Sequence, residues 1–144
     1  MSLDDIPVPQ GSGYYYLEGT DVGKGSYTGM IMQTPTTINY GLTSDSNSVY
    51  INALVKGTSN AIMEVRILET DNDEYRLKVP VTWTGWKAVN VLYADLIPEI
   101  IVGGKREPSK VKQVRIALRS DAIASGVVLN VDYLIFTEGK PFQP

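Results

Sequence analysis

Aromatic side chains with a polar tip dominate the aromatic set of this chain, nine Tyr and two Trp against only two Phe. Rings of that kind stack on flat apolar faces while hydrogen-bonding hydroxyls, which is the chemistry of carbohydrate recognition. Trp83 in VTWTGW is the first candidate, because Thr82, Thr84 and Gly85 put it at an exposed turn. The run Tyr14, Tyr15, Tyr16 must send side chains to both faces of its strand, so at least one of them is left exposed or covers a sheet edge. Tyr14, Tyr16, Tyr40 and Tyr50 join Trp83 as the candidate ligand-binding set. The competing account of each Tyr is plain packing, since strands favour Tyr in any case. Trp86, which opens a strand with a core pattern, is assigned to structure.

Other chemistries are narrowed by what is missing. With no Cys there are no disulfides, thiolate metal sites or cysteine nucleophiles, and with no His the commonest general base is gone. Paired carboxylates suffice for glycoside hydrolysis. Here most of the acids fall in turns or on alternating solvent faces, as Glu64, Asp73 and Glu74 do, and a small sandwich rarely supplies a deep cleft, so no enzyme is expected. Asp71, Asn72 and Asp73 look like a cation loop, yet an EF-hand needs Gly at its sixth place and Glu at its twelfth, where Arg76 and Thr82 stand. A polar hairpin turn is the better reading. GTDVGKGS (19–26) fails as a phosphate loop because Glu18 holds the place of the first glycine and Gly25 follows Lys24. No helical pattern follows it, nor Gly103, Gly104, Lys105 and Arg106, to supply an N-terminal dipole. A net charge of −3 gives no broad positive field for nucleic acid.

The elements that must position these residues are strands. The 144 residues, 43% hydrophobic, suit one core. Short segments of period two alternate with turns from Tyr14 onward. In NSVYINALVKG, Val49, Ile51, Ala53 and Val55 share a face, with Leu54 the exception on the other. IMEVRILE and YRLKVPV alternate likewise and predict a hairpin through TDNDE, with Pro80 at an edge or bulge. Val89, Val91 and Tyr93, then Val114, Ile116 and Leu118, mark two more half-buried strands. GVVLNVDYLIF, apolar on both faces apart from Asn130 and Asp132, predicts a central strand covered on both sides. Only ADLIPEI suits a short helical turn, limited by Pro98. About nine strands without a long helix predict an all-β fold, an antiparallel β-sandwich. Residues 1–13 read as a cloning remnant and linker, 14–139 as the sandwich domain and 140–144 as a tail. No apolar run is long enough to span a bilayer and no export signal is evident, so a parent protein would have supplied one.

VYINALVKG, the Trp86–Val91 strand with YADL, KVKQVRIAL and the ending LNVDYLIF together resemble the galactose-binding-like jelly-roll domains, a group that includes carbohydrate-binding modules. WKAVNV followed by a glycine and LNVDYLIF is also similar to the complex I intermediate-associated family, which shares that fold. The resemblance implies a jelly roll and a non-catalytic carbohydrate-binding accessory domain for a polysaccharide or oligosaccharide. It places that domain outside the cytoplasm, in a secreted or surface lipoprotein with other domains. It also implies a structural calcium between the first and last strands, where Glu18 and Asp132 match and Asp21 would have to help. A hydrogen-bonded Asp132 anchoring a loop, or paired with Arg115 or Arg119, is the plainer account. The alternative function is a structural or protein-interaction domain, which an exposed apolar patch would favour.

Overall fold

The computed structural model describes residues 15–19, 27–36, 39–119 and 126–143. Nine strands and no α-helix occur among the described residues: β1 (Tyr15–Gly19), β2 (Tyr27–Gln33), β3 (Val49–Gly57), β4 (Ile62–Glu69), β5 (Glu74–Pro80), β6 (Lys87–Leu92), β7 (Ile97–Ile100), β8 (Val111–Arg119) and β9 (Val127–Glu138). Every pairing is antiparallel. The strands form a four-stranded sheet, β1-β9-β3-β6, and a five-stranded sheet, β2-β8-β4-β5-β7. Only the β4–β5 and β7–β8 connections stay within one sheet, which is jelly-roll winding.

The two sheets face each other because each has one apolar side, as alternation requires. Val49, Ile51, Ala53 and Val55 of β3 share one buried cluster with Met63, Val65 and Ile67 of β4 and with Val114, Ile116 and Leu118 of β8. The residues between them, Glu64, Arg66 and Arg115 among them, therefore stand on the outer faces, but Glu64 and Glu74, like Asp73 in the turn, are buried rather than solvated as their positions in the alternation predict. Leu54, the exception in its pattern, lies on the outer face of the four-stranded sheet and is still only 2% exposed.

Three sequence expectations meet a physical reason here. The doubly apolar ending is a strand that changes phase: Asn52 pairs with Ile135 and Leu54 with Asp132, so Tyr133 and Leu134 oppose Ala53 alone. This is a β-bulge, and Tyr133 takes the left-handed conformation it needs (φ 53°). Val127, Leu129 and Val131 point inward before it, and Leu134 and Phe136 after it. In ADLIPEI the helical turn is confined to Tyr93–Asp95, and Ile97–Ile100 becomes an edge strand, where Pro98 is tolerated. Pro80 ends β5 beyond the stretch Glu74–Arg76 that β7 covers.

Candidate functional site

The aromatic candidates whose side chains are described, Trp83, Tyr40 and Tyr50, are each engaged separately. Trp83 is half-buried against the core, its indole N–H donates to the Val55 carbonyl (3.0 Å), and the Lys87 ammonium sits 4.9 Å from the ring centroid. The exposed turn expected at Trp83 is therefore corrected: the bend folds the ring back onto β3. Tyr40 packs edge-on to Phe136 (5.1 Å) and donates its hydroxyl to Thr34 Oγ1 (2.8 Å), so it seals the core margin. Tyr50 is half-buried in β3, paired in register with Leu92 and Thr137. Tyr16 pairs with Asn130 as part of β1, and Tyr14 lies outside the described residues. Trp86 is buried, at 8% exposure.

Of the three expected calcium ligands, Glu18 pairs with Val128 in β1 and Asp21 lies outside the described residues. Asp132 is buried and accepts the N–H of Tyr133 (2.7 Å), at the bulge. Arg115 and Arg119, considered as its partners, belong to the opposite sheet.

A different carboxylate group assembles where β4 turns into β5. Oxygens of Glu69, Asp71 and Asp73 lie within 4.8 Å of one another, close enough to hold a metal ion, and hard oxygen donors suit calcium or magnesium. Backbone donors already stand against two of them. Asp73 accepts the N–H groups of Val102, Gly103 (2.6 Å) and Gly104 (3.1 Å), and Glu69 accepts the N–H of Glu107 (3.1 Å) and the hydroxyl of Tyr93 (3.0 Å). Lys110 reaches Asp71 at 3.3 Å. The cluster thus clamps the loop that follows β7 onto the β4–β5 turn. A side chain at Gly103 would meet the Asp71 carboxylate and displace it from this contact.

The electrostatics follow from these contacts. Burial pushes the Glu69 carboxyl up to about 7, against the opposing effects of the Glu107 N–H and the Tyr93 hydroxyl, and the charges of Asp71 and Asp73 add to the rise. Burial acts in the same sense on Asp73, but its three backbone donors prevail and hold it below the usual carboxylate range. Burial, then the nearby Glu69 and Asp73 charges, pushes the Tyr75 hydroxyl up to about 12.

Sequence reasoning missed the most unusual surface, the outer face of the five-stranded sheet. Arg66 of β4 pairs directly with Arg76 of β5 on one side and with Arg115 of β8 on the other. Like charges placed opposite each other on neighbouring strands are destabilising. Carboxylates interleave them: Arg66 bonds Glu64 and Glu74 (2.7 Å to the latter), Arg119 also reaches Glu64, and Arg76 reaches Glu99 (2.7 Å). Arg115 donates to Gln113 Oε1 at 2.9 Å. Arg66, Arg76 and Arg115 were legible as polar positions in alternating strands, but only the register aligns them.

The sheet edge carries a second surface. Ile97, Ile100, Ile101 and Val102 are 56%, 49%, 47% and 68% exposed, all on β7 or just after it. Among the described residues, no helix is long and apolar enough to cross a membrane.

No protein-family model and no curated protein matches this chain. A solved structure of PfGH50B is similar, with a TM-score of 0.45 and 10% identity over 90% of this chain. The aligned part is 23% of the PfGH50B chain, so this chain spans under a quarter of its length.

Proposed function

We propose that this is a non-catalytic carbohydrate-binding module of the galactose-binding-like jelly-roll type, belonging to a secreted or cell-surface protein, with the outer face of the five-stranded sheet as its binding surface. The observation that carries the reading is the arginine row Arg115–Arg66–Arg76, which the register sets side by side across three strands. Departures from local rules of this sort mark functional surfaces. The partly exposed guanidinium groups of Arg66, Arg76 and Arg115, held from below by the buried Glu74 and Gln113, set forked donors in one row that suits hydroxyl groups along a glycan chain. A flat sheet buries little of its ligand, so each contact is weak and a polymer is favoured over a monosaccharide. A cation at Glu69, Asp71 and Asp73 would brace the adjoining loop, leaving the sheet face to the ligand.

Affinity electrophoresis against a polysaccharide panel tests this. We expect retardation by at least one glycan, weakened about tenfold (roughly 1.4 kcal/mol) by Arg76→Ala or Arg115→Ala. Retardation that both variants leave unchanged would move the site off this face. A second reading, a protein-docking domain, is favoured by the apolar strip on β7, because exposed edge strands pair with other chains. Under that reading, sedimentation would show association that Ile100→Lys abolishes, with no glycan retained.

A further inference from the structure

We infer that the ligand of the arginine face is an anionic glycan, one bearing carboxylate or sulfate groups along its chain; this rests on the reading of that face as a carbohydrate surface. Charge is segregated in this molecule. The chain as a whole carries −3, yet the outer positions of the five-stranded sheet bring together Arg66, Arg76, Lys78, Arg115 and Arg119 against Glu64, Glu74 and Glu99. Those carboxylates are engaged unevenly. Glu64 and Glu74 serve Arg66 and Arg119, and Glu99 serves Arg76. Arg115 is met by a neutral amide, and Lys78 has no carboxylate partner among the described residues.

These two cations, with no carboxylate partner among the described residues, flank the central strand. Arg115 is the register partner of Arg66 on β8, and Lys78, on β5, pairs with Glu64 two residues along the same face. They stand two strand spacings apart and two residues along, roughly 12 Å in all. A chain crossing the strands would set one acidic group at Arg115 and another near Arg76 and Lys78, with Arg66 between them. Arg76 is 31% and Arg66 18% exposed at the side chain, and Lys78 is exposed, so these donors reach solvent.

The described side chains of β4, β5 and β8 on this face include no aromatic ring on which a neutral sugar could stack. Recognition there falls to charge-assisted hydrogen bonds, and a guanidinium matches the two oxygens of a carboxylate or sulfate in one plane. An anionic ligand would add a charged acceptor at Arg115, whose neighbour on this face is the Gln113 amide oxygen.

The test uses matched polymers in affinity electrophoresis and titration calorimetry. Polygalacturonate is set against its methyl ester, and κ-carrageenan against agarose, with wild type, Arg115→Gln and Lys78→Gln. We expect one acidic member to bind at least tenfold tighter than its neutral counterpart, the preference to fall about tenfold in either variant, and binding to weaken sharply in 0.5 M NaCl as exposed charges are screened. Equal binding of acidic and neutral members, unmoved by Arg115→Gln, would leave the carbohydrate reading intact and overturn the anionic one. Retention by none of the four polymers would remove the carbohydrate reading itself. Polyglutamate or single-stranded DNA retained as strongly as the best glycan would reduce the face to a generic polyanion surface and overturn the inference. Both substituted side chains lie at least partly in solvent, so matching thermal melts are expected to show that the variants fold.

Discussion

Trp83 and Arg115 show how far a single residue discloses its role. Thr82, Thr84 and Gly85 correctly announce a bend around Trp83, but local sequence is silent on the partner, the Val55 carbonyl 28 residues away. An indole whose N–H is bonded inside the protein and whose face lies under Lys87 is a packing residue. Trp83→Ala is expected to lower unfolding free energy by about 2 kcal/mol, below the fully buried range because the ring is only half covered. Trp83→Phe, which keeps the ring and loses the hydrogen bond, should lose about 1 kcal/mol. Neither should shift glycan affinity more than twofold. Urea titration and calorimetry on the same samples separate the two effects; a tenfold affinity loss in Trp83→Phe would restore Trp83 to the binding surface. Arg115 was the reverse case, an ordinary outward residue of its strand until the register set it beside Arg66.

At the level of elements, the turn between β4 and β5 was legible and its second duty was not. TDNDE does close the hairpin: Asn72 adopts φ 70° and donates to the Glu69 carbonyl (3.0 Å), and Asp73 donates its N–H to Asp71 Oδ1 (3.2 Å). What sequence spacing cannot convey is that Asp73 also receives three consecutive N–H groups from a loop some 30 residues later. Those donors lie in a segment that carries its apolar side chains outward, so the carboxylate, with little help from packing, holds it. Asp73→Ala leaves the N–H groups of Val102, Gly103 and Gly104 without their acceptor, and a loss of about 2–3 kcal/mol is expected. Amide exchange localises the effect: protection at residues 102–104 should vanish while β3 and β8 keep theirs. Uniform loss of protection across all strands would mean that Asp73 supports the whole sandwich.

For the whole molecule, period-two patterning sufficed for the two-layer fold because each sheet has one apolar face, and Val114, Ile116 and Leu118 could be buried only by an opposing sheet. The phase change at Tyr133 and the short edge strand β7 are not legible in the sequence, since a bulge and an edge strand each break the period-two alternation. A stability profile against pH tests the assembled cluster as a unit. Folded Glu69 keeps its proton to about pH 7, whereas the unfolded side chain releases it near its ordinary value of 4.5. Between those values the native state binds more protons than the unfolded chain, so stability is greatest below pH 4.5, falls as pH rises, and is fully lost by this route above pH 7. The depressed Asp73 acts oppositely, with its contribution present above 3.8 and lost in stronger acid, which places the optimum near pH 4–5. The Glu69 contribution should amount to about 1–3 kcal/mol, or several degrees in Tm between pH 5 and pH 8. Self-repulsion of the −3 chain also grows toward pH 8, but Glu69→Gln shares it. The difference between the two profiles therefore isolates Glu69: wild type should lose stability toward pH 8 while Glu69→Gln stays nearly flat, and parallel profiles would show that Glu69 does not carry the proton.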